Sequence, residues 1–248
     1  MPRDYCRPWN KDRTVGSRKA LTQAEVKQIT AQFTDADLHD GCLFLTAIDT
    51  MLRASDLLKL RVSDVQHSNG AIKTSFPWRQ KKTSNGVYPV LTPTTQKALA
   101  DWIKATGKLP EHFIFTRQKP TDADPITIGF YRTLVKSWIE SIGASPEYYS
   151  AHSLRRTKAT FMYERGISVE VIGRLLGHKS PASTIRYLGI DAAQAQNAAL
   201  MHDIFGSQKR TKTKDQLILS DAQIAKISNQ IWRKLADRLS KNLTENGE

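Results

Sequence analysis

Apolar positions recur at helical spacing along most of this chain and alternate in only one short stretch. Val26, Ile29 and Phe33 share one face of a helix that opens at Leu21–Thr22, with Thr22 as N-cap and Glu25 three positions on. A second helix is predicted from about Asp35 to Met51, and a short one after Ser55 carries Leu57, Leu58 and Leu60. Beyond Arg61 the period changes to two, and Val62–Gln66, Ala71–Trp78 and Val87–Leu91 read as strands. Asn69-Gly70 and Asn85-Gly86 lie between them, and Asn-Gly favours tight hairpins because both turn residues take positive φ. The expectation is a three-stranded antiparallel meander.

Everything after the meander is helical in pattern. The predicted helices are Pro93–Lys104, Ile126–Ile142 ending at Gly143, Leu154–Arg165 ending at Gly166, and Ser168–Leu176 ending at Gly177. Ala182–Leu188 and Asp191–Phe205 follow. Near the end, Ile224, Ile227, Ile231, Leu235, Leu239 and Leu243 recur behind Ser220 as an amphipathic helix, which either docks on its own domain or binds a partner. The predicted fold class is α+β, mainly helical with one small antiparallel sheet. Three parts are expected: a basic N-terminal arm (1–20), a main domain (21–206), and a basic linker with the terminal helix (207–248).

Charge narrows the function. The 248 residues carry 37 Lys+Arg against 24 Asp+Glu, a net +13, which suits a partner that is a polyanion. The excess is spread out: Met1–Lys19 and Gly206–Glu248 each contribute +4, leaving +5 between them. The longest apolar run, around Leu43–Leu45, is far below the roughly 20 residues of a membrane span, and Met1–Ala20 lacks the apolar core of a signal peptide. Cys6 and Cys42 cannot build a disulfide framework, so a cytoplasmic protein with no membrane partner is expected.

Three stretches carry candidate chemistry: Thr50-Met51-Leu52-Arg53-Ala54-Ser55-Asp56-Leu57, His152-Ser153-Leu154-Arg155-Arg156-Thr157, and Leu176-Gly177-His178 followed nine residues later by Tyr187. Each alone has an ordinary structural explanation, such as a surface arginine, a helix start, a helix end or a half-buried tyrosine. Together, two arginines, two histidines and a tyrosine suit a phosphodiester. Guanidinium forks match non-bridging phosphate oxygens and keep their charge. Fixed donors stabilise the charge of a phosphoryl-transfer transition state. A tyrosine can attack phosphorus once its proton is managed, and the leaving oxygen then needs a general acid.

In these residues, their order and the 23-residue step from Arg155 to His178, the chain resembles the catalytic domain of the tyrosine recombinase (phage integrase) family. The boxes resemble Thr-Gly-x-Arg-x-Ser-Glu-Leu, His-x-Leu-Arg-x-Thr, and Leu-Gly-His followed by the tyrosine, over about Leu21–Phe205. The resemblance implies the fold of that domain and a site-specific DNA recombinase. Arg53 and Arg155 would clamp the scissile phosphate, and His152 and His178 would bind its oxygens and help move the proton of Tyr187. Tyr187 would attack, giving a 3′-phosphotyrosyl link and a free 5′-hydroxyl, with strand exchange through a Holliday junction. A hairpin lysine would protonate the 5′-oxygen. Lys82 is the choice, with Lys81 as the alternative because register decides which one faces DNA, while Lys73 falls on the wrong strand.

The resemblance further implies double-stranded recombination sites as partners, a homo-tetramer on paired sites, accessory DNA-bending proteins, and a nucleoid-associated setting in a bacterial host or on a mobile element such as a plasmid. It implies no cofactor and no metal. Two departures stand in the first box. Met51 replaces a glycine, removing a flexible turn residue ahead of Arg53, and Asp56 replaces a glutamate, keeping a carboxylate for local capping. With only about twenty residues before Leu21, the chain resembles short members that lack the N-terminal core-binding domain.

Other classes fit less well. His152 and His178 are 26 residues apart, no HExxH or paired-cysteine spacing occurs, and His39, His67, His112 and His202 read as structural. No phosphate-cradling GxxxxGK[ST] loop occurs. Two alternatives stay open on the same fold: a catalytically silent DNA-binding regulator, and a type IB-like topoisomerase or telomere resolvase sharing the chemistry.

Overall fold

A computed structural model describes residues 18–116 and 124–190. The helix expected at Asp191–Phe205, the linker and the terminal amphipathic helix lie outside the described residues. The N-terminal helix begins as its sequence dictates. In α1 (Gln23–Thr30) the Thr22 hydroxyl accepts from the Glu25 N–H at 3.2 Å, and the Glu25 carboxylate accepts from the Thr22 N–H at 2.7 Å. This reciprocal cap satisfies two donors that a helix start leaves open. After a 3-10 turn at Asp35–Asp37, α2 (Leu38–Thr50) runs through the centre and packs against both α5 (Pro93–Thr106) and α7 (Ala151–Glu164).

Two short helices follow, α3 (Ala54–Leu57) and α4 (Val62–Val65). The strand expected at Val62–Gln66 is therefore a single helical turn. Val62 and Val65 are three apart and both fully buried, a helical spacing, and Asp64 accepts the Arg61 N–H at 2.7 Å as a capping carboxylate.

The sheet is smaller than the expected three-stranded meander. Among the described residues, only β1 (Trp78–Arg79) and β2 (Gly86–Val87) pair regularly, antiparallel, with Trp78 opposite Val87. Isolated bridges, Gln66 with Ile72 and Ser75 with Val90, are what remains of the third strand and the longer pairing. The Asn69-Gly70 turn forms, with Gly70 at φ 85 and the Ala71 N–H bonded to Asn69 Oδ1 at 3.0 Å. Asn85-Gly86 does not make a tight turn. Gly86 sits in β2, and the chain reverses over Lys81–Ser84, with Ser84 taking the positive φ of 54.

The helical second half follows expectation within a few residues: α6 (Ile128–Ser141), α7, α8 (Val169–Leu176) and α9 (Pro181–Leu188). The main core joins α2, α5 and α6 around Leu43, Phe44, Leu99, Phe115, Tyr131 and Ile139, each at 0–1% exposure. Burying a side chain of this size is worth about 1.5–3 kcal/mol. A second cluster, Met51, Ala159, Ile172, Leu176 and Leu188, fastens α8 and α9 to α7. Met51 thus fills space under the helix that carries Tyr187. No helix among the described residues is long and apolar enough to cross a membrane.

Candidate active site

Four segments bring the candidate residues to one place. The first is the corner between α2 and α3. Met51 ends α2 in the left-handed region, φ 50 and ψ 27, the conformation for which glycine is the usual residue. The left-handed turn is kept despite the substitution, and the next helix starts with Arg53 in its N-cap position. Arg53 Nη1 donates to Gln80 Oε1 at 2.6 Å. Asp56, 1% exposed, does not cap locally as expected. Its Oδ1 accepts the Lys81 backbone N–H at 2.8 Å and so tethers the loop between β1 and β2.

Helix α7 supplies the second segment. Ser150 caps it by accepting from the His152 N–H at 3.2 Å, and the three-residue step to Arg155 puts both side chains on one face. Arg155 is 2% exposed, and its Nη2 donates to the Leu176 carbonyl at 2.9 Å. Its Nε and Nη1 are buried without hydrogen-bond partners.

The third segment is the turn after α8. Gly177 has φ 69, and a Cβ there would lie 2.7 Å from Val87 Cγ1, so both the conformation and the close packing call for glycine. His178 follows, with Nδ1 3.1 Å from Thr184 Oγ1. Helix α9, capped by Ser180 and opened by Pro181, then carries Tyr187. The His178 and Tyr187 rings meet edge to face, 5.3 Å apart and at 79°.

A cavity of about 460 Å³ is lined by Arg53, His152, Arg155, His178 and Tyr187, together with Arg18, Arg156, Ser183 and Arg186. Five of the six candidate residues of the sequence therefore line one cavity. Lys82 does not. It is exposed on the β1–β2 loop, although its charge reaches His152. Arg18 and Arg186 also line the cavity, and Gln80 reaches it through Arg53. No local pattern marks them, since their place depends on contacts between distant segments.

The field in the cavity is strongly positive. Partial desolvation, then the charges of Arg155 and Arg53, lower the His152 pKa although its outer edge is exposed. The same causes push His178 down to about 4, so both imidazoles are neutral at pH 7. Burial raises the Tyr187 pKa, opposed by Arg155 and Arg156. Arg155 acts on the Tyr187 hydroxyl electrostatically, but no hydrogen bond of sound geometry joins them. The resting site holds a neutral phenol beside fixed guanidinium charges. Such a set can bind an anionic tetrahedral group and present a nucleophile to it.

The chain is similar to known recombinases. The tyrosine recombinase XerA of Pyrococcus furiosus is 26% identical over 195 residues, which cover 77% of this chain and 65% of that protein. The probable integrase/recombinase YoeC of Bacillus subtilis is 25% identical over 183 residues, covering 73% of this chain and 93% of that protein. The fold matches that of the XerH site-specific recombinase bound to its difH substrate, with a TM-score of 0.58 at 19% identity over 75% of this chain and 55% of that one. The chain thus spans about two thirds or less of the length of several recombinases it resembles. The family model for the phage integrase family matches residues 19–194, and with that span covering most of its length the chain belongs to the phage integrase family.

Proposed function

We propose that this chain is a site-specific DNA recombinase of the tyrosine class. One observation carries the reading: the Tyr187 hydroxyl and Arg155 Nε and Nη1 are buried without partners at one cavity that Arg53 also lines. Each unsatisfied buried group costs about 1–3 kcal/mol, more for a charged one. A phosphodiester at that point would accept from the arginines and stand in front of the phenol. The family and its relatives, among them tyrosine recombinases and a site-specific recombinase bound to its difH substrate, support DNA as the polyanion.

In this reading Arg53 and Arg155 hold the non-bridging oxygens. The Tyr187 oxygen attacks phosphorus, the bond to the 5′-oxygen breaks, and the DNA is left joined to Tyr187 through its 3′-phosphate. The phenol proton passes to a neutral imidazole, His178 or His152. Once bound, the phosphate anion offsets the guanidinium field and raises the basicity of both rings. Lys82 delivers a proton to the departing 5′-oxygen when DNA draws its loop inward, with Lys81 as the alternative. Attack by a free 5′-hydroxyl of a second site reverses these bond changes and exchanges strands, so the phosphodiester bond energy is conserved and no cofactor is needed.

Residues 21–206 form the catalytic domain in this reading, flanked by the basic arm and by the linker with its terminal helix. The acting form is a tetramer on two DNA sites, assisted by DNA-bending proteins and associated with the nucleoid of a bacterial host. The test is a nicked duplex carrying the cognate site, taken from DNA flanking the gene, in which the cut strand loses its free 5′ end. Wild type should become covalently attached to the 3′ side of the break. Tight binding without an adduct would favour a DNA-binding regulator instead.

A further inference from the structure

Gln80 follows β1 at the mouth of a surface loop, yet it is only 1% exposed. Its Oε1 accepts from Arg53 Nη1 at 2.6 Å and from Thr83 Oγ1 at 2.9 Å, and its Nε2 donates to the Leu176 carbonyl at 3.0 Å. The chemistry of the partners fixes the orientation of the amide. A guanidinium only donates and a carbonyl only accepts, so the flipped amide would face donor with donor and acceptor with acceptor. The same Leu176 carbonyl accepts from Arg155 Nη2 at 2.9 Å.

The two arginines are therefore joined through one relay: Arg53, the Gln80 amide, the last carbonyl of α8, and Arg155. The space it occupies is kept open by the following residue, since a Cβ on Gly177 would lie 2.9 Å from both Gln80 amide atoms. The relay also reaches the loop that bears Lys82, through Thr83. A neutral amide suits this place. A carboxylate would orient Arg53 equally well but would cancel the charge that a phosphate must meet.

We propose that Gln80 is a positioning residue: it holds the Arg53 guanidinium in register with Arg155 for a single phosphate and ties the Lys82 loop to the same frame. The proposal rests on the strand-cleavage reading above. A guanidinium free to swing on its flexible stem would spend little time in the geometry that cleavage requires, and a misplacement of about 1 Å costs on the order of 100-fold in rate.

The test compares wild type, Gln80→Met, Arg53→Ala and the double variant in covalent-adduct formation on the nicked duplex at saturating DNA. Gln80→Met should slow adduct formation about 10- to 100-fold, while the DNA concentration for half-saturation changes less than about threefold. Added to Arg53→Ala, it should cost much less than it does in wild type, because most of its effect runs through Arg53 and only the part carried by the Lys82 loop remains. An unchanged rate, or a full further loss in the Arg53→Ala background, would overturn the proposal. Gln80→Asn, polar but one methylene too short to reach Arg53, replaces Gln80→Met if the latter fails to fold.

Nitrogen-15 spectra of the guanidinium groups give a reading that needs no cleavage. Separate, slowly exchanging Arg53 Nη–H signals are expected in wild type and a collapsed signal in Gln80→Met. Separate signals that persist in the variant would overturn the proposal. If wild type forms no adduct, the cleavage reading falls, and these spectra still decide whether Gln80 holds Arg53.

Discussion

The guanidinium carbon of Arg155 lies 5.9 Å from the centroid of the Tyr187 ring, and both the Tyr187 hydroxyl and Arg155 Nε and Nη1 are buried without a hydrogen-bond partner. Three polar atoms left open at one cavity are a cost to the fold that a bound phosphate would relieve. In the proposed reaction, these donors would already be aimed when charge develops on phosphorus.

Arg53→Ala or Arg155→Ala should remove most cleavage while leaving DNA binding largely intact. Loss of one transition-state donor costs about 3–4 kcal/mol. Binding of the duplex is instead spread over many phosphate contacts, each adding roughly −0.9 to the slope of log K against log salt. Gel shifts and single-turnover cleavage on the same duplex check this. A parallel fall in both would make the arginines ordinary binding contacts.

Acid should destabilise the free chain through His178. Its folded pKa is about 4 against an ordinary 6.5, chiefly from desolvation and then from Arg155 and Arg53. The unfolded chain therefore binds more protons between these values. The contribution is fully present above about 6.5 and is lost as pH falls toward 4. Urea midpoints should drop across that window in wild type and drop less in His178→Gln. Equal slopes would show that other groups dominate.

Met51→Gly should destabilise the chain although it relieves a left-handed backbone. The strain at φ 50 is worth roughly 1–2 kcal/mol, whereas removing a buried methionine side chain costs about 2–5 kcal/mol. Met51 is 4% exposed and packs with Ile172, Leu176 and Leu188 below Tyr187. A net loss on the order of 1–3 kcal/mol in urea unfolding is expected. A gain would mean that the side chain contributes little to docking α9.

Lys82→Ala should slow cleavage of ordinary DNA but not of a duplex with sulfur replacing the bridging 5′-oxygen, because a thiolate leaves without a proton. Rescue in Lys81→Ala instead would transfer the role to its neighbour. Failure of rescue in both would remove the loop from acid catalysis.

Much of this site was legible in the chain because its residues sit at helix ends. Thr22 with Glu25 at α1 and Gly177 after α8 are local signals, and they are found in the predicted places. The spacing from His152 to Arg155 is a single helical turn, so one face follows from sequence alone. Errors cluster where tertiary contact overrides local pattern. Val62–Gln66 resembles a strand by composition, but the Asp64 cap and the burial of Val62 with Val65 favour a helical turn. Asn85-Gly86 lost its turn to Lys81–Ser84, a loop tethered from outside by Asp56 and Gln80. Gln80 itself was invisible, since its role exists only once α8 and the corner after α2 meet.

The most direct measurement is adduct formation by wild type and Tyr187→Phe on the nicked duplex, read on a denaturing gel. A covalent complex on the 3′ side of the break in wild type, absent in Tyr187→Phe although the variant binds DNA equally, is the predicted result. An adduct that persists in Tyr187→Phe, or none in a wild type that binds the site tightly, would contradict the assignment of Tyr187 as the nucleophile of a strand-exchange enzyme.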